Sequence, residues 1–194
     1  MHVAGRLIRQ ARRSARLSQQ DLAELTGLHQ PGIAAIESAG HDTRVERLER
    51  ILGAVHQRII AIPTTAPSAA EVADALFDIC RTPSTDRARE NKALRALIGF
   101  SDRLAEAEPA TRVALCVTPA APCGDPRFDA TLAGIIDYHL RRDRLPVPAW
   151  VDNRDLVLDE PWAPSRYTDT DTAEIPAALR RRNVLLATTE LASV

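Results

Sequence analysis

The residues able to do acid–base, nucleophilic or metal chemistry are scattered through this chain of 194 residues. Five histidines stand at positions 2, 29, 41, 56 and 139, and none forms the HxH or HxxxH pair that would aim two imidazoles at one ion. The cysteines, Cys80, Cys116 and Cys123, are odd in number and widely spaced. They match neither a disulfide framework nor a zinc set, and reduced thiols are expected. A cysteine nucleophile needs a neighbouring base, and the sequence indicates none. Asp171 and Glu174 lie three apart on a predicted helix, while Asp152, Asp155, Asp159 and Glu160 fall in loops. Carboxylates are common on solvated faces, so this spacing is a poor sign of catalysis. The single lysine, Lys92, follows no glycine-rich phosphate loop. The expectation is a protein that binds rather than one that catalyses, without metal or cofactor.

The chemistry that remains is that of surfaces. Residues 1–60 carry nine arginines against six acids, and residues 61–194 carry sixteen basic residues against twenty acids. A mildly basic head and a mildly acidic body suit a nucleic-acid reader joined to a protein-facing half, although unrelated solvated domains show the same balance. Alanine, leucine and arginine dominate and aromatics make up only 4 %, which favours packed helices. No leader pattern opens the chain, and no run approaches the roughly 18 apolar residues of a membrane span. A cytoplasmic protein with no membrane partner is expected.

The head must therefore present its polar groups from short helices. Arg6 to Ser14 reads as a helix with Leu7, Ile8 and Ala11 as its apolar stripe. Ser18 and Asp21 form a capping box that opens a second helix, lined by Leu22, Ala23 and Leu25. Gly27 ends it, because a tight turn between helices favours a left-handed residue without a Cβ. A third helix spans about Gln30 to Ser38, with Pro31 in the first turn, where its missing N–H costs nothing. Ile33 and Ile36 point inward. Thr43 and Glu46 read as a second capping box, opening a fourth helix whose inward residues are Leu48, Ile51 and Leu52. Helices this short must share one core.

Leu17-Ser-Gln-Gln-Asp-Leu-Ala23, Gly27, Gln30-Pro-Gly-Ile-Ala-Ala-Ile-Glu37 and Gly40 together resemble the repressor family of helix-turn-helix proteins, the Xre type that includes the phage repressors and Cro. The resemblance covers about residues 5 to 56. It implies a lambda-repressor-like domain in which Gln19 steadies a DNA phosphate and Arg12 pairs with Glu37 to fix the recognition helix. It places the recognition positions on Gln30, Pro31, Gly32, Ala34 and Ala35; with Gln19, and with Ser18, Gln20, His29 and Arg44 beside them, these make the expected DNA-contacting set. At the outer positions of the third helix, Ala34 and Ala35 stand where long polar residues are usual. Gln30 can still read an adenine edge, and the alanines can meet a thymine methyl. Much of the affinity is then expected from phosphate contacts. A hairpin serving only as a dimer or partner surface is the bland alternative.

Beyond the fourth helix, Gln57-Arg-Ile-Ile-Ala-Ile62 is rich in β-branched residues and reads as a strand. It would pair with its copy in a second subunit or with a strand near residue 117 or 184 of the same chain. A homodimer would present two recognition helices to a palindromic operator in double-stranded DNA, ~34 Å apart. Pro63 to Ser68 breaks regular structure. The expected organisation is thus residues 1–62 as a DNA-binding domain with a trailing strand, 63–69 as linker and 70–194 as a mostly helical domain.

In that second half, helices are predicted over Ala69 to Cys80, from Ser84 or Thr85 to Glu106, over 109–117, and from an Asp125 cap with Pro126 to Arg142. The last of these shows Phe128, Leu132, Ile135, Ile136 and Leu140 on one face and Asp129, Asp137, Arg141 and Arg142 on the other. A final helix from Asp171 or Thr172 to Arg182, a short strand at Val184-Leu-Leu186 and a last turn over Thr188 to Ala192 complete the list. Fold class is mainly α with a few short strands. Trp150 and Trp162 sit in proline-punctuated loops and either plug the core or anchor a partner.

The stretch Phe128-Asp-Ala-Thr-Leu-Ala-Gly-Ile-Ile-Asp-Tyr-His, the loop Leu145-Pro-Val-Pro-Ala-Trp150, Leu158-Asp-Glu-Pro-Trp162 and Arg180-Arg-Arg-Asn-Val-Leu-Leu resemble the tail of a group of actinobacterial Xre-type regulators. That resemblance implies an antitoxin that neutralises a nucleotidyltransferase-like toxin and represses their shared operon. The other reading is a free-standing regulator whose second domain senses a small molecule.

Overall fold

The computed structural model describes residues 3–38, 43–164 and 174–192, within two compact units, Met1–Pro63 and Thr64–Val194. In the first unit, α1 (Val3–Ser14), α2 (Gln19–Thr26), α3 (Gln30–Glu37) and α4 (Val45–Ala54) enclose Ile8, Ala11, Leu22, Ile33, Ile51 and Leu52. Apolar residues at Ala4, Ile8 and Ala11 recur at helical spacing, so α1 buries one stripe. Gly5 lets α1 lie directly on α3: a side chain there would collide with the Ile36 carbonyl oxygen.

Local chemistry sets the boundaries of α2. The Ser18 hydroxyl accepts from the Asp21 N–H at 3.1 Å, and the Asp21 carboxylate accepts from the Ser18 N–H at 2.8 Å. These bonds hold the Asp21 carboxyl below its usual range. Gly27 stops the helix at φ +66°, and its N–H reaches back to the Ala23 and Glu24 carbonyls. Pro31 sits in the first turn of α3. The fourth helix departs from expectation at its start. Arg44 holds the cap position with no side-chain cap bond, which puts Glu46 two residues past the cap, one short of the position from which a capping-box acid reaches back.

The second unit is built from α5 (Ala69–Arg81), α6 (Asp86–Glu106), α7 (Pro109–Val117), α8 (Pro126–Arg142), 3₁₀ turns at Ala149–Asp152, Arg154–Leu156 and Thr188–Glu190, and α9 (Ala177–Arg180). Caps again place the helices: Ser68 with Glu71 for α5, Thr85 for α6 and Asp125 ahead of Pro126 for α8. Every residue from Ala130 to Asp137 is buried, so α8 is the central helix, covered on all sides rather than amphipathic. Of the residues expected on the outer face, Asp137 is sealed, Asp129 is half-buried, and Arg141 and Arg142 at the helix end are exposed. At Gly134 a side chain would collide with Leu179, so α9 rests directly on α8. Burial pushes the Cys116 thiol up to about 12 and raises Cys80 and Cys123 as well, as expected of inert thiols in apolar surroundings.

The short strands do not form. Among the described residues the one β-type contact is a parallel bridge between Trp162 and Val184, built by Trp162 N–H to Asn183 O and Leu185 N–H to Trp162 O, both 2.8 Å. Val184–Leu186 is thus a single bridged residue, not a strand. Residues 57–62 are irregular as well. Branched side chains favour extended backbone, but a strand exists only where another segment accepts its ladder, and no described segment of the chain does. Ile60 stands 79 % exposed. The final helix is confined to Ala177–Arg180, and its predicted start at Asp171 or Thr172 lies outside the described residues.

Candidate nucleic-acid interface

Arg12 of α1 and Glu37 at the end of α3 meet as a two-pronged ion pair: Nε to Oε1 at 2.7 Å and Nη2 to Oε2 at 2.9 Å. The remaining arm of Arg12 donates to the Leu17 carbonyl at 2.9 Å, which ties the turn before α2 into the same contact. Glu37 is 3 % exposed and Arg12 14 %. A planar guanidinium fork satisfies both carboxylate oxygens at once, so the pair also fixes direction.

The pair continues outward. Gln19 Nε2 donates to Glu37 Oε2 at 2.9 Å, and Gln30 Nε2 donates to Gln19 Oε1 at 3.0 Å. A chain Arg12–Glu37–Gln19–Gln30 therefore runs from a buried carboxylate to the first residue of α3. Each amide is oriented by the one behind it, and the Gln30 side-chain oxygen is left to accept from outside. The resemblance to the repressor head implied the pairing of Arg12 with Glu37, but the two glutamine links were not read from sequence. Residues eleven and eighteen apart meet only once the turn at Gly27 has folded.

The other expected positions divide by environment. Gln20 is exposed but donates to Glu24 at 2.9 Å along its own helix. The Ser18 hydroxyl serves the cap of α2. His29, Pro31 and Arg44 are exposed, and Gly32, Ala34 and Ala35 are half-buried. Apart from Gln30, α3 carries no long polar side chain on its outer side. Arg47 of α4 was not singled out from sequence. Its Nη2 is the nearest atom to where a Cβ on Gly32 would stand, 3.9 Å away.

In the second unit, the Trp150 indole N–H donates to the Cys116 carbonyl at 3.0 Å. Trp162 stands edge-on to Phe128 with ring centroids 6.1 Å apart. Both tryptophans pack against the core. Among the described residues no group of three or more His, Cys, Asp or Glu is placed to hold a metal ion, and no described helix is long and apolar enough to cross a membrane.

Neither a curated protein nor a solved structure matches the chain. Residues 8–55 match the helix-turn-helix family model HTH_3, which spans the four-helix core from Ile8 onward and the polar chain between the helices. The amino-terminal unit is an Xre-type helix-turn-helix domain, consistent with a DNA-binding regulatory protein.

Proposed function

We propose that the chain is a sequence-specific DNA-binding repressor that docks α3 in the major groove. The observation that carries this reading is the chain Arg12–Glu37–Gln19–Gln30, which presents a pre-oriented amide at the first residue of α3. The N-terminal residues of a recognition helix meet base edges, and a glutamine can pair with an adenine through its amide. With alanines at positions 34 and 35, the outer face suits methyl contacts and close approach. Titration onto duplexes carrying the promoter of its own gene, beside scrambled duplexes of equal composition, tests the reading. Tighter binding to the promoter supports it; equal affinity for both duplexes contradicts it.

A palindromic operator calls for two heads, and the exposed Ile59, Ile60 and Ile62 beside the domain support self-association. Sedimentation should give a homodimer; a monomer at the concentrations that bind DNA would exclude that arrangement. For the second unit, the resemblance of its tail supports an antitoxin role toward a nucleotidyltransferase-like toxin. Co-expression with the product of the adjacent gene should recover a stoichiometric pair through one tag. Against a small-molecule sensor stands the packing of Trp150 and Trp162 into the core, and neither lines the open concavity of about 500 Å³ along Gly99, Asp102 and Glu106.

A further inference from the structure

Gly32 stands inside α3, one residue after Pro31. A glycine within a helix costs about 1 kcal/mol against alanine, and two structural reasons can justify it: a positive φ or a neighbour that leaves no room. Neither applies. Gly32 is not among the glycines with positive φ, and a Cβ there would have ordinary contact with one atom, Nη2 of Arg47, at 3.9 Å. The contrast with Gly5, where α3 itself fills the space, is direct.

Arg47 is exposed, and its guanidinium makes no hydrogen bond or ion pair among the described residues, unlike most of the arginines of the same unit. It lies over a helix whose outer positions, Gly32, Ala34 and Ala35, carry no polar group. From this juxtaposition we infer that Arg47 reaches across the bare first turn of α3, over the surface left open at Gly32, to clamp a DNA phosphate at the edge of the groove. The inference rests on the DNA-binding reading above. A phosphate rather than a base edge is the partner because nothing buttresses the guanidinium. An arginine that reads guanine needs a fixed bidentate geometry, whereas a charge–charge contact tolerates a mobile fork.

The experiment is a salt titration of binding by the full chain to its promoter duplex and to an unrelated duplex, for the parent, Arg47→Gln, Arg47→Lys and Gly32→Leu. Each phosphate neutralised contributes about 0.9 to the slope of log affinity against log salt. Arg47→Gln should lower the slope by that amount and weaken both duplexes by the same factor, with unchanged thermal melting. Arg47→Lys should keep the parent slope. Gly32→Leu, which fills the place of the guanidinium, should reproduce the glutamine variant. Parent binding with an unchanged slope in Arg47→Gln overturns the role of Arg47 alone, as does a loss confined to duplexes with one particular base pair. A parent that binds neither duplex overturns the DNA reading and this inference with it.

Discussion

Each unit seals a carboxylate from water beside an arginine, yet the two networks end on different groups. In the first unit, Glu37 receives Arg12 from one side and Gln19 from the other, and the chain leaves the core to end on Gln30 at the surface. In the second, Asp137 is fully buried and receives Arg182, itself 3 % exposed, at 2.8 Å. Arg182 also donates to the carbonyls of Val151 and Ala178 at 2.7 and 2.6 Å. Arg141 donates to the other oxygen of Asp137 at 2.6 Å, and Arg181 and Asp152 close the group at the rim. That network joins α8, the turn at Ala149–Asp152 and the closing segment; its buried arm through Arg182 ends on backbone, and its rim ends on Asp152 paired with Arg141 and Arg181. The same chemistry points a side chain outward in one unit and fastens three segments in the other.

The largest effect should come from breaking the inner network. Asp137→Ala leaves Arg182 buried without its carboxylate, and a loss of about 3–5 kcal/mol in denaturant unfolding is expected. Glu37→Ala should cost less, about 2–3 kcal/mol, because Arg12 keeps the Leu17 carbonyl and partial access to water. Unlike Asp137→Ala, it should also reduce promoter binding by releasing Gln19 and Gln30. Equal loss of DNA affinity in both variants would erase the distinction between the networks.

A third difference is pH. His139 is buried in the second unit, its Nε2 2.8 Å from the Ser101 hydroxyl and its Nδ1 without a hydrogen-bond partner among the described residues. Burial, with Arg142 and Arg112 nearby, lowers its pKa from 6.5 to about 4. The unfolded chain then binds the proton more tightly than the folded one. The stability of the second unit should be full above about pH 6.5 and should fall as pH drops toward 4, by a few kcal/mol at most. Denaturant midpoints across that range, for the parent and for His139→Gln, check it: the variant should lose the slope.

The smallest effect on stability and the most specific effect on function belong to Gln30. Gln30→Ala should leave unfolding within about 1 kcal/mol of the parent while costing about 1–3 kcal/mol in promoter binding and relaxing discrimination at one base pair.

The two units were also unequally legible in the sequence. Features decided within one turn of chain were readable: the box of Ser18 with Asp21, the left-handed Gly27, a cap at Ser84 or Thr85 before α6, which the structure gives to Thr85, and the Asp125–Pro126 start of α8. Each depends on residues a few positions apart, and their spacing is visible in a linear string. Features decided by distant partners were not. Residues 57–62 carry the side chains of a strand, but whether a ladder forms depends on another segment. Asp137 sits where a helical wheel shows a polar face, and only the arrival of Arg182, 45 residues later, gives that one position a partner in the interior. The candidate site falls between these cases. Its members were named by resemblance to a repressor head, while their connection through Gln19 appears only in three dimensions, and Arg47 lacked any signal beyond an unexplained glycine on a neighbouring helix.

The central claim, that the inner end of the first network serves the orientation of its outer end on DNA, is tested most directly by a double-mutant cycle. Promoter affinity would be measured for the parent, Gln19→Ala, Gln30→Ala and the double variant of the full chain. If Gln19 orients Gln30, the two losses are non-additive, and the double variant binds about as weakly as the worse single one. Strictly additive losses, or single variants that bind the promoter as tightly as the parent, would contradict the account.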